Sequence, residues 1–146
     1  MLLRGRHGIG TSCVVYQTAE ALGLPVVERR ASQMTEGDLL GLPTTDGGTT
    51  SFCPPDWYAE CCNEPRVLFL DEVARATTAA SQGIFDLTDS RKLAGHHLHT
   101  ETGLFAAVLG GEQGVPSHGG QMRHAQVDRR TSRVAARHAR QRLALA

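Results

Sequence analysis

The chain has 146 residues, 40% hydrophobic and 21% charged, which suits one soluble domain with a sizeable core. No apolar run is long enough to cross a bilayer and the N-terminus lacks a signal-peptide pattern, so a membrane protein is excluded and a cytoplasmic location is expected. Net charge is zero but unevenly spread: residues 1–122 carry 8 basic against 14 acidic side chains, and residues 123–146 carry 7 arginines against one aspartate.

Met1 to Ser12 reads as a short apolar strand, a glycine-rich turn and the start of a helix. Gly5, Gly8, Gly10 and Ser12 fit the phosphate-loop spacing G-x-x-x-x-G-K-[ST] at every position but one, where Thr11 replaces lysine. Glycines let successive N–H groups approach phosphate oxygens, and the helix that follows adds its positive end. The plain alternative is a glycine-rich strand-to-helix turn. Thr11 to Leu22 is the predicted helix, with Val14, Val15, Ala19 and Leu22 apolar, Cys13 expected on its buried side and Gly23 as its stop. Pro25 to Arg30 then reads as a strand, completing a βαβ unit.

An acidic helical turn is expected around Glu36–Leu40, then a loop with Asp46-Gly47-Gly48 at its turn and a short returning strand at Ser51–Cys53. Asp56 is placed to cap a short helix running to Cys62. Val67-Leu68-Phe69-Leu70 is the strongest strand signal, apolar throughout as in a strand buried on both faces, and it ends in Asp71 and Glu72. Ligands of open α/β sheets bind at such carboxyl ends. A helix over Thr78–Thr88 is expected to bury Ala79, Ile84, Phe85 and Leu87, with a polar turn and a short strand within Lys92–Thr100. Gly103–Leu109 is a further buried strand, followed by glycine loops and an Arg/Ala-rich helix from Met122. Cys13, Cys53, Cys61 and Cys62 form no C-x-x-C pair and read as reduced thiols. His96, His97 and His99 read as a polar turn rather than a metal cluster.

Taken together, residues 1–130 resemble the core of an AAA+ ATPase of the MoxR/dynein-related type. The matches are the Gly5–Ser12 loop; Ser32-Gln33 with Asp38-Leu39-Leu40-Gly41-Leu42-Pro43 and Pro54-Pro55-Asp56-Trp57; Val67–Glu72 as a Walker B strand followed by Val73-Ala74-Arg75-Ala76; and Met122–Arg129. The resemblance implies a P-loop NTPase-type three-layer α/β/α fold with a mainly parallel sheet. Its helical lid is expected to be missing, and residues 131–146 form a separate basic helix or tail.

By the same resemblance, ATP and Mg²⁺ are the ligands. Gly5, Arg6, His7, Gly8, Ile9, Gly10, Thr11 and Ser12 would bind nucleotide, and Ser12 and Asp71 would hold the metal. Glu72 would polarise the attacking water. Arg75 and Arg129 would lie near subunit interfaces of a homo-oligomer, with Arg129 as an arginine finger. Three positions depart from the family pattern: Thr11 for lysine, Ala74 for asparagine, and Leu109 where a water-orienting asparagine is expected. Three readings follow: an ATPase that remodels a partner protein, a catalytically inactive adaptor or truncated remnant, and nucleic-acid binding through the basic tail.

Overall fold

A computed structural model describes residues 2–5 and 10–109. The loop residues Arg6–Ile9, the fourth family segment with Arg129, and the basic tail lie outside them.

Four parallel strands form the central sheet. They are β1 (Leu2–Gly5), β2 (Val26–Arg30), β5 (Val67–Asp71) and β8 (Gly103–Leu109), in the order β1-β8-β5-β2. The strand read as doubly buried is so: Val67, Leu68, Phe69 and Leu70 are each 0% exposed. Their period of two divides them between two cores. Val67 and Phe69 join Phe105, Ala107 and the helix residues Val15, Ala19 and Leu22 on one face. Leu68 and Leu70 join Leu104, Ala106 and residues Leu39, Trp57, Tyr58, Cys61, Ile84 and Leu87 on the other.

The layering follows from chain direction. The chain steps from β1 to the far edge at β2 through α1 (Thr11–Leu22), then returns through β5 to β8. Right-handed crossovers taken in opposite directions put their helices on opposite faces. So α1 covers one face, while α2 (Glu36–Leu40), α3 (Asp56–Asn63) and α4 (Thr78–Ser90) cover the other. The three-layer α/β/α arrangement expected from the sequence is the one observed.

Helix phase corrects three expectations. In α1 the buried positions are Val15, Ala19 and Leu22, spaced i, i+4, i+7. Cys13 and Val14 fall outside that stripe and are exposed. In α4 the buried set is Ala80, Ile84 and Leu87, which leaves Ala79 and Phe85 facing outward. α1 ends as predicted: the amides of Gly23 and Leu24 donate to the carbonyls of Glu20 and Ala19, both at 3.0 Å. α2 opens with a capping box, in which Thr35 Oγ1 accepts from the Asp38 amide at 3.2 Å and Asp38 Oδ2 accepts from the Thr35 amide at 2.9 Å.

The stretch read as a loop before Ser51 is largely strand. β3 (Leu42–Asp46) pairs antiparallel with β4 (Thr49–Cys53) through a two-residue turn with positive φ at Gly47 and Gly48. Every residue of this ribbon is exposed. At its base Gly41 has φ +84, and a Cβ there would overlap the Cys53 carbonyl oxygen. A second small hairpin, β6 (Lys92–Leu93) with β7 (His96–His97), replaces the single strand expected there. Among the described residues no group of histidines, cysteines and carboxylates is arranged to hold a metal ion, and no helix is long and apolar enough to cross a membrane.

Candidate functional site

Because all four sheet strands run parallel, their carboxyl ends share one edge. Gly5 stands opposite Leu109, and Arg30 stands opposite Asp71. β8 separates β1 from β5, so the loop after β1 and the carboxylates after β5 are two strand spacings apart, roughly 10 Å. That gap is where a ligand held by both would lie.

On the β1 side, Gly10 is in the left-handed region with φ 82 and ψ 24, and it turns the chain into α1. The first intrahelical bond runs from the Val14 amide to the Gly10 carbonyl at 3.1 Å. The amides of Thr11, Ser12 and Cys13 therefore precede the helical ladder. No side chain caps them among the described residues, and the first turn carries no acidic residue. This is a helix start with donors available to an anion. Thr11 and Ser12 are half-buried in its first turn.

On the β5 side the geometry is more constrained. Asp71 Oδ1 accepts from the Glu72 amide at 2.8 Å. Glu72 itself has φ 54 and ψ 34, a left-handed conformation that costs a non-glycine residue roughly 1–2 kcal/mol. That turn swings its side chain back over the end of β2. There the Ser32 hydroxyl donates to Glu72 Oε2. Arg75, on the following 3-10 turn Val73–Arg75, places a guanidinium nitrogen 4.0 Å from Glu72 Oε1. Glu72 is 21% exposed and Arg75 62% exposed. Both oxygens of the Glu72 carboxylate are thus engaged by residues of this chain.

Among the predicted site residues, Gly5, Gly10, Thr11, Ser12, Asp71 and Glu72 come to one edge. Arg6, His7, Gly8, Ile9 and Arg129 lie outside the described residues. Ser32 is the contact that sequence reasoning did not assign. No local signal in the sequence gave it: it follows from the parallel pairing of β2 with β5, which sets Arg30 opposite Asp71 and so brings the residues just after each strand together.

The donor types suit a magnesium-bound nucleotide. The Ser12 hydroxyl and the Asp71 carboxylate are hard oxygen ligands of the kind Mg²⁺ takes, and the open amides of α1 suit phosphate oxygens.

A family model for the AAA domain of the dynein-related subfamily matches residues 1–107. No curated protein sequence matches the chain. Among solved structures, a Thermotoga maritima RuvB mutant is similar over 75% of this chain with a TM-score of 0.52 and 17% identity. The T. maritima RuvB Holliday junction branch migration motor is similar over 73%, with a TM-score of 0.50 and 17% identity. NtrX from Brucella abortus gives a TM-score of 0.49 at 15% identity over 77% of this chain and 26% of its own. The chain spans 31% and 30% of the two RuvB structures, so the likeness is one of fold.

Proposed function

This chain belongs to the dynein-related subfamily of AAA domains, and from that premise we propose that it binds ATP with Mg²⁺ at the carboxyl edge of its sheet. The observation that carries the reading is the pairing of two features at one edge: an uncapped helix start at Gly10–Cys13 and the Asp71-Glu72 strand end across β8. In this reading the loop of residues 5–12 wraps the phosphates with backbone amides, and Ser12 and Asp71 hold the metal. When bound, Mg²⁺ would offset phosphate charge. Glu72 orients and polarises the attacking water once its carboxylate leaves Ser32.

Thr11 decides the rate. Backbone amides and a metal suffice for binding, but hydrolysis needs charge stabilisation of the transition state. Losing one such contact costs on the order of a hundredfold or more in rate. The chain is therefore an ATP-binding module with slow turnover, of the MoxR kind, which assembles with like subunits and remodels a partner protein. The engagement of Glu72 by Ser32 and Arg75 favours a second reading, an adaptor that binds nucleotide without hydrolysing it.

A fluorescent ATP analogue should bind in a Mg²⁺-dependent way, more weakly in Asp71→Ala and more tightly in Thr11→Lys. No binding at millimolar nucleotide would overturn the nucleotide reading. Phosphate release above that of a Glu72→Gln control supports the ATPase over the adaptor.

A further inference from the structure

The side of α4 that points away from the sheet carries charge with no counter-ion. Burial of Ala80, Ile84 and Leu87 leaves Gln82, Phe85, Asp86 and Asp89 along the opposite side, all exposed, with Phe85 at 44%. Asp86 and Asp89 lie in the second half of the helix, where the last carbonyls already make the potential negative. The last turn holds no basic residue. Arg91, at the C-cap, is committed elsewhere: its Nη2 donates to the carbonyls of His99 and Thr102 at 3.2 and 2.6 Å. Asp86 and Asp89 form no ion pair among the described residues.

Other neighbouring carboxylates are answered where they stand. Glu60 and Glu64 meet Arg66 at 3.6 and 3.0 Å. Glu36 and Asp38 share the first turn of α2, at its positive end. Among the described residues, only α4 sets two carboxylates at the unfavourable end of a helix beside an exposed aromatic ring. The chain itself holds the complement. Residues 123–146 carry 7 arginines, no lysine and one aspartate. Arginine suits this face better than lysine, because its planar fork pairs with carboxylates and its flat side lies on an aromatic ring. Arg133, Arg137 and Arg140 recur at i, i+4 and i+7, one stripe of the helix that the Arg/Ala-rich composition predicts. The step from Arg137 to Arg140 equals the step from Asp86 to Asp89, so two helices lying side by side can form both pairs. The residues between Leu109 and Arg133 reach roughly 25 Å even as a random coil. α4 is roughly 20 Å long, so the connection is long enough.

We infer that the outward face of α4 is the docking surface for this chain's own basic segment around Arg133–Arg140, with Arg137 and Arg140 on Asp86 and Asp89 and an arginine laid on the Phe85 ring. The contact relieves the negative end of α4 and covers its exposed aromatic. It also withholds those arginines from other anions until salt or a stronger polyanion displaces them. The contact does not depend on nucleotide.

The test places a reporter on the face itself. Phe85→Trp in the full chain adds an indole that acrylamide, a neutral quencher, reaches only when the face is bare. Trp57 is buried at 7% exposure, so its emission stays shielded and checks that each variant is folded. Quenching of the introduced indole should be weak at low salt and rise about threefold in 1 M salt. Adding Arg137→Glu and Arg140→Glu should give full quenching at every salt concentration. Adding Asp86→Arg and Asp89→Arg to that variant should restore the shield, since the charges are then exchanged. Full quenching of the Phe85→Trp chain at low salt overturns the inference. So does a failure of the exchanged charges to restore shielding. Shielding that grows with protein concentration overturns it as well, and assigns the face to a second copy of the chain.

Discussion

β5 and the β3–β4 ribbon are built from strands of the same length in opposite environments. β5 has four consecutive residues at 0% exposure, whereas the ribbon is exposed throughout, with Leu42 at 74%. Burial holds β5 in place: each fully buried large apolar side chain contributes about 1.5–3 kcal/mol. The ribbon has no such source, and a lone two-stranded hairpin is marginal in water. It is held by its turn and its root. Gly47 and Gly48 reverse the chain, and at the root Gly41 approaches the Cys53 backbone where no side chain fits. One more tether links it to the body, a contact at 3.1 Å between His96 Nε2 and the Phe52 carbonyl. A rigid strand thus aims Asp71 and Glu72, while the ribbon contributes nothing to the buried core.

The contrast can be broken most severely in β5. Phe69→Ala removes a fully buried ring between β8 and α1 and should cost about 3–5 kcal/mol, measured by urea unfolding. A loss below about 1 kcal/mol would mean that β5 is not the mechanical centre of the fold. Gly41→Ala strikes the ribbon's root. Its conformation alone penalises alanine by roughly 1–3 kcal/mol, and the overlap with Cys53 adds to that. Amide exchange should quicken across residues 42–53 while β5 stays protected; uniform quickening would contradict the division.

Ser32→Ala is a finer probe of the strand end. It removes the hydroxyl that occupies Glu72 Oε2 and should change global stability by only about 1 kcal/mol. If Glu72 activates water, phosphate release should rise several-fold. An unchanged rate together with an unchanged Glu72→Gln background would favour the adaptor.

The smallest effect is read from two thiols. Cys53 on the ribbon is exposed, and Cys61 on α3 is buried. Cys53 should be alkylated rapidly in the native protein, and Cys61 only on global unfolding. Burial, with a lesser contribution from Cys62, pushes the Cys61 thiol up to about 12. Below pH 9 the thiol is protonated in both states, so its contribution to stability is intact. Between about 9 and 12 the unfolded chain loses that proton first, and stability falls as pH rises. Cys61→Val should flatten this alkaline limb; an unaltered limb would place its cause elsewhere.

What the sequence determined by itself is periodic or local. Four successive apolar residues declared β5, and Gly10 marked the turn into α1. Gly23 marked the end of α1, whereas Asp56, read as the cap of α3, is its first helical residue after Pro55. These signals act over one or two turns of chain, so they survive without knowledge of the fold. The motif order along the chain also carried the family.

The tertiary structure decided which distant residues meet. Strand order put β8 between β1 and β5 and so set the gap between the helix start and Asp71. Parallel pairing of β2 with β5 brought Ser32 to Glu72, forty residues away. Helix phase against the sheet turned Cys13 and Phe85 outward, though both looked like core. Hydrophobicity tells a residue to be buried somewhere; only the packing of α1 and α4 on a twisted sheet chooses which apolar residues fit beneath them.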